Sequence, residues 1–313
     1  MLNVAGFYKN FNRGRSVPGV FRLGEPMSAH TTFKTGGPAD VWVRPEGGDF
    51  PEYSGELILS ARNEGIPVFI LGGGANIVVA ETGIRGIVLD TGGYNAVHGE
   101  PGGIVAVQAG ASVDDAVRYA ASVELSGLEF LAGMPGSLGG AVWMNARCYE
   151  KSVSDVLVDT EVIDLGGQFP LRTVVPCLQR DFGYKKSPFQ NRDALIVGSR
   201  FALKKGTAEK IAGEMEEHRL DREEKGHYRF PSAGSVFKNN RKFGRPAGKI
   251  IDELGLCGLA VGDAQVAPWH GNIIINRGKA AGSEIKALAE LVAGKVRSRL
   301  GLELEYEILF IGF

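Results

Sequence analysis

The run Gly133-Met134-Pro135-Gly136-Ser137-Leu138-Gly139-Gly140-Ala141-Val142-Trp143-Met144-Asn145-Ala146 holds five Gly or Pro residues among fourteen, with apolar residues on both sides. Backbone this rich in Gly loses extra entropy on folding, and it persists where something must approach the main chain closely. Leu71-Gly72-Gly73-Gly74-Ala75-Asn76-Ile77-Val78-Val79 is a second such run. Two Gly-rich loops beside strand-like apolar runs suit a long, diphosphate-bearing ligand laid against backbone amides. The triple-Gly run has neither GxGxxG spacing nor the GK[ST] ending of a P-loop, so both standard nucleotide readings fail. Taken alone, it is equally well explained as a tight turn.

Three further groups carry side-chain chemistry. Ser232-Ala233-Gly234-Ser235-Val236-Phe237-Lys238-Asn239 sets a hydroxyl between Gly234 and an apolar pair. A Ser in such a place is most often a turn or cap residue, and the GxSxG elbow of a hydrolase is absent. The end of the chain alternates. Leu302, Leu304, Tyr306, Ile308 and Phe310 share one face of a strand predicted over 302–311, and Glu303, Glu305, Glu307, Leu309 and Ile311 share the other. Glu307 is the last carboxylate before that second face turns apolar, although an edge Glu reaching water is the plainer reading. Asp181-Phe182-Gly183-Tyr184-Lys185-Lys186-Ser187-Pro188-Phe189 mixes aromatics with two cations, which suits an anionic, ring-bearing ligand or an ordinary surface turn. The five histidines show no ligand spacing, so no metal site is expected.

The elements that would position these residues alternate. Strands are expected at Asp40–Arg44, Val68–Leu71, Ile77–Val79, Gly86–Asp90 and Ile104–Gln108. Helices are expected from Tyr53 to Glu64, with Gly65 as its cap, and from Ser112 as N-cap to about Ser122. Strand patterns return between Val156 and Leu203. A charged helix over Thr207–Lys225 follows, best read as a solvated face or connector. A strand over Asn272–Asn276 and an amphipathic helix over Ser283–Leu300 precede the final strand. The composition change sets a domain boundary near 205, after a polar lead-in over residues 1–20.

The bulk properties narrow the classes. The 313 residues are a prior of about two domains. The 45 glycines are about twice the usual share. A net charge of −1 gives no footprint for nucleic acid. Cys148, Cys177 and Cys257 are odd in number and lack CxxC spacing, which fits a reducing compartment. Met1–Arg15 shows no signal-peptide apolar region and no run approaches a membrane span, so a cytoplasmic protein is expected.

Taken together, the segments resemble the UDP-N-acetylenolpyruvoylglucosamine reductase (MurB) family, in its shorter type. The matching pieces are His30 to Asp40, Leu71 to Val79, Gly133 to Ala146, Phe182 to Ser187, Ala233 to Asn239 and Glu307 to Gly312, in order across residues 28–312. The resemblance implies an α+β fold. A two-subdomain FAD-binding region of the vanillyl-alcohol-oxidase/PCMH type would occupy 21–205, with a break near 90. A smaller α/β substrate-binding domain would occupy 206–313. FAD would contact Thr35, Gly36, Gly37, Gly72, Gly73, Gly74, Ala75, Asn76, Gly133, Met134, Pro135, Gly136, Ser137, Gly139, Gly140 and Asn145. NADPH would supply hydride to the flavin, and flavin N5 would pass it to the enolpyruvyl methylene of UDP-N-acetylglucosamine enolpyruvate. Ser235 would donate the proton, with Glu307 by the substrate carboxyl stabilising the enolate form. Tyr184, Lys238 and Asn239 would bind substrate. A monomer with no nucleic-acid or membrane partner is expected.

This chain departs from the family pattern at two places. Lys185 stands where the family has Arg in its "YR-x-S" stretch, which keeps the charge and loses the bidentate fork. A working site with Lys185 as a single-point clamp is expected. Arg147 stands where the family usually has Gly in "NAGAYG", and could touch the flavin or supply the missing guanidinium. Two other readings stay open at this point: an oxidase of the same flavin-binding superfamily, and a non-catalytic flavin or UDP-sugar binder.

Overall fold

The computed structural model describes residues 3–15 and 19–313. The described part of the expected lead-in contains a helix. Asn3 caps α1 (Val4–Phe11) by accepting from the Gly6 amide, and Val4 and Tyr8, one turn apart, are buried. That i, i+4 apolar pair is what a reading of the segment as polar overlooks. Residues 1, 2 and 16–18 of the expected lead-in lie outside the described residues.

The chain continues through β1 (Gly19–Pro26), β2 (Pro38–Pro45), α2 (Phe50–Asn63), β3 (Val68–Leu71), β4 (Ile77–Val79), β5 (Ile84–Asp90), β6 (Val97–Glu100) and β7 (Ile104–Gln108). Next come α3 (Val113–Ser122), β8 (Leu125–Ser126), α4 (Leu138–Trp143), β9 (Arg147–Cys148), β10 (Lys151–Ser152), β11 (Leu157–Asp164), β12 (Leu171–Pro176), β13 (Ala194–Ala202) and β14 (Lys204–Lys205). The last elements are α5 (Ala208–Glu224), α6 (Ala247–Glu253), β15 (Ala260–Val261), β16 (Ala264–Val266), β17 (Ile274–Asn276), α7 (Gly282–Leu300) and β18 (Leu309–Ile311). Among the described residues no helix is long and apolar enough to cross a membrane.

These elements form two compact units. The first comprises residues 1–24, 40–73 and 86–220; the second comprises 25–39, 74–85 and 221–313. The boundary expected near 205 lies upstream of the observed one, which falls within α5. The second unit also takes two segments from early in the chain, which a composition profile along the sequence does not register.

In the first unit, a sheet of order β1-β2-β5-β3 and an antiparallel sheet of order β12-β11-β13-β7-β6 provide the frame. One core joins α2 to both sheets through Phe50, Tyr53, Leu57 and Ala61 against Val41, Ile87, Ile163 and Val197. Gly55 makes the fit: a Cβ there would stand 2.6 Å from Pro170 Cβ and 2.8 Å from Ile163 Cγ2. A second core lies on the other face of the larger sheet, with Val105, Val107, Phe201 and the α3 residues Val113, Ala116, Val117 and Ala120. Ser112 caps α3, as expected, by accepting from the Asp115 amide.

In the second unit, α7 buries Ile285, Leu288, Ala289, Val292 and Val296, and Gly301 ends it at φ 66°. Each such large aliphatic is worth about 1.5–3 kcal/mol on burial. They pack with Phe33, Val78, Phe237, Ile250 and Ile308. β15, β16 and β17 form an antiparallel sheet, and β18 pairs in parallel with β4. The strand predicted over 302–311 is shorter than its pattern. Only Leu309–Ile311 is a strand, and Tyr306 makes an isolated bridge to Phe237. The alternation survives as burial: Glu303 and Glu305 are exposed while Leu302, Leu304 and Tyr306 pack on the core.

Candidate active site

In the first unit the two Gly-rich runs meet. A Cβ on Gly73 would stand 2.5 Å from Gly136 Cα, and one on Gly72 would stand 2.4 Å from Ser137 Oγ, so only Gly allows the approach. Ser137 is buried, and its Oγ accepts from the Gly73 amide at 3.2 Å and the Gly140 amide at 3.3 Å. Its second bond is the N-cap of α4, so Leu138–Trp143 is a short helix within the run that the sequence presents as a Gly-rich loop. Gly139 lets that turn press on Ala109, where a Cβ would come within 2.8 Å. The amides of Gly133 and Met134 are used on Asp114 and Leu131. Among the described residues, those of Gly136 and Ser137 donate to no protein acceptor.

Tyr184 and Lys185 form the tip of a two-residue turn closed by two bonds between Gly183 and Lys186, at 3.0 and 3.1 Å. Lys185 has φ 56°, the left-handed conformation that a type II turn requires at this position. Asn145, expected to touch the flavin, braces this turn. It is 3% exposed, its Nδ2 donates to the Gly183 carbonyl at 2.9 Å, and its Oδ1 accepts from the Ser154 amide at 3.0 Å. Ser187 Oγ donates to the Trp143 carbonyl, and Gln190 Nε2 donates to the Lys185 carbonyl. The guanidinium of Arg147 pairs with Glu150 at 2.7 Å.

In the second unit, Ser235 and Glu307 lie on one short ladder. The Glu307 amide donates to the Val236 carbonyl at 2.8 Å, and the Lys238 amide donates to the Glu305 carbonyl at 2.8 Å. Ser235 is half-buried, and among the described residues its hydroxyl has no hydrogen-bond partner. Asn272 clamps the ladder from the other side: its Oδ1 accepts from the Phe237 amide and its Nδ2 donates to the Phe237 carbonyl. This buried Asn was not singled out from sequence; its signal is a polar residue at the head of the apolar run 273–275. Burial pushes the Tyr306 phenol above its ordinary range, with Glu290 adding to the effect, so it stays neutral beside Glu307. Lys238 is paired with Glu305. Asn239 Oδ1 accepts from the Ala247 amide, at the start of α6.

Also in the second unit, the amides of three consecutive residues, Gly74, Ala75 and Asn76, donate to no protein acceptor among the described residues. Gly74 has φ 62°, and a Cβ there would stand 1.9 Å from the His30 carbonyl oxygen. Such a run of unused amides, opening at a Gly that tolerates no side chain, fits the oxygens of a pyrophosphate. Thr35, Gly36 and Gly37 dock on the chain around β4, with the Gly37 amide on the Ala80 carbonyl and a Gly36 Cβ excluded by Val79. Among the described residues no His, Cys, Asp and Glu group has the makings of a metal site.

These loops are those of a flavin-binding protein, and residues 55–169 match the FAD binding domain family. Residues 226–311 match the C-terminal domain of UDP-N-acetylenolpyruvoylglucosamine reductase. The chain is 41% identical to the UDP-N-acetylenolpyruvoylglucosamine reductase of Treponema denticola, over 94% of each chain. It is 41% identical to that of Borrelia garinii subsp. bavariensis, over 91% of each. The crystal structure of the Thermus caldophilus enzyme (MurB) superposes with a TM-score of 0.76 at 32% identity, covering 95% of this chain and all of that one. The chain belongs to the UDP-N-acetylenolpyruvoylglucosamine reductase family.

Proposed function

We propose that this chain reduces UDP-N-acetylglucosamine enolpyruvate to UDP-N-acetylmuramate, a step of peptidoglycan precursor synthesis and hence of cell-wall biogenesis, with FAD and NADPH. The observation that carries this reading is the ladder joining Ser235 to Glu307, in a chain related along most of its length to enzymes named for this reaction. The chemistry that FAD supplies is hydride transfer, from NADPH to the flavin and from the flavin to the enolpyruvyl methylene carbon. The amides of Gly74, Ala75 and Asn76 would hold its phosphates.

The neighbouring carbon then needs a proton, and Ser235 supplies it from Oγ, to be replenished from water. A Ser hydroxyl is a weak acid, so it works only beside a strongly basic enolate with well-set geometry. An Oγ with no protein partner is available for that bond. Glu307 serves the substrate carboxyl and stabilises the enolate form, and Lys185 acts as a single-point clamp by charge. The enzyme works as a cytoplasmic monomer, which light scattering on the purified protein tests.

The decisive experiment is NADPH oxidation by the flavin-loaded protein with and without the enolpyruvyl substrate. Oxidation should depend on substrate, and Ser235→Ala should lower it by about 10²–10⁴-fold while flavin reduction by NADPH persists. Flavin reduction that is indifferent to the enolpyruvyl substrate and discharged only to oxygen would defeat the proposal in favour of an oxidase.

A further inference from the structure

Asn76 belongs by sequence to the Gly-rich loop, yet its side chain is turned to the other end of the chain. Its Nδ2 donates to the backbone carbonyl of Glu307 at 3.0 Å, and its own carbonyl accepts from the Leu309 amide at 3.0 Å. One residue thus grips the main chain on both sides of Ile308, which is 2% exposed in the core. From the other side the Glu307 amide is held by Val236, the residue after Ser235. Both backbone polar groups of Glu307 are therefore fixed, one by the segment that carries Ser235 and one by Asn76.

We infer that Asn76 is a positioning residue for Glu307: through its side-chain amide it sets the backbone from which the carboxylate reaches the substrate, while its main-chain amide belongs to the flavin loop. This rests on the reading of Glu307 as the group beside the substrate carboxyl. The chemistry calls for an amide. Asp would set an oxygen against the Glu307 carbonyl oxygen, and Ala would leave that carbonyl without its donor. The bond also makes the backbone that meets the cofactor and the backbone that carries the acid one piece.

The test uses the flavin-loaded enzyme with Asn76→Ala and Asn76→Asp, each made alone and together with Glu307→Gln. Flavin retained after gel filtration, flavin reduction by NADPH, and reoxidation by the enolpyruvyl substrate are measured separately. Asn76→Ala should keep its flavin and slow reoxidation by about 10-fold, the effect of one lost hydrogen bond. In the Glu307→Gln background the same change should cost less than about 2-fold, because the residue acts through Glu307. Equal losses in both backgrounds would overturn the inference, as would loss of flavin, which would make the side chain a cofactor ligand. Glu307→Gln reoxidising at the wild-type rate would overturn the reading of Glu307, and the inference with it. If Asn76→Ala fails to fold, Asn76→Ser carries the same comparison.

Discussion

Lys185 concentrates the residue-scale chemistry of the first unit. It holds a left-handed conformation at the tip of a braced turn, a placement that costs a non-Gly residue about 1–2 kcal/mol and is tolerated where position matters. Arg147, the other candidate for the family's guanidinium, pairs with the exposed Glu150, and we propose Lys185 as the clamp. Lys185→Ala should lower kcat/KM by about 10- to 100-fold, the worth of a charged hydrogen bond. Lys185→Arg should raise kcat/KM by about 2- to 5-fold through a lower KM, since the fork grips a carboxylate at two points. Steady-state kinetics on the two variants decide it; an Arg variant slower than wild type would mean that the turn is shaped for Lys. Ser235, Glu307 and Lys185 stood out as candidates because the segments that hold them match the family pattern in order. Asn145 and Asn272 were not legible as braces. Their roles are bonds to backbone remote in sequence, and residue type does not announce such bonds.

The hairpin of β9 and β10 shows what an element keeps from its sequence. Tyr149 and Glu150 at its tip have φ of 49° and 63°, a pair of left-handed residues of the kind that favours Gly. The Glu150 side chain is 87% exposed, so its pair with Arg147 contributes little. Glu150→Gly should therefore raise stability by about 0.5–1 kcal/mol, read as a higher denaturation midpoint with an unchanged slope. A lower midpoint would show that the ion pair outweighs the strain. Helices with a clear apolar stripe, such as α7, and capped ones, such as α3, were readable within a residue or two. The 302–311 strand was readable as alternating burial but not as pairing, because a strand needs a partner and the partner of Tyr306 is a single residue, Phe237. α4 was hidden by its glycines, which disfavour a helix until Ser137 caps it.

At the scale of the whole molecule, the second unit carries a pH liability. Burial lowers His227 to about 4, helped by Arg222, His270 and Lys225 and opposed by Asp221. Burial also lowers His270. The unfolded chain takes up a proton at His227 below its ordinary value of 6.5, and the folded chain resists until about 4. Stability is thus complete above about 6.5, falls as pH drops towards about 4 by on the order of 2 kcal/mol, and is flat below that. Thermal melts across this range should show the slope, and His227→Gln should reduce it; an identical slope in the variant would place the liability elsewhere. The arrangement of the units has its own consequence. Asn76, next to β4, and Glu307, just before β18, are 231 residues apart in the chain and bonded in the fold. A ribosome therefore makes β4 early and the strand that covers it near the end. Until then Ile77, Val78 and Val79, all buried in the finished protein, have no partner along one edge. The first unit can close while translation continues, but the second closes only after nearly the whole chain has emerged, so the acid and the loop it is tied to become a pair at the last step of biogenesis.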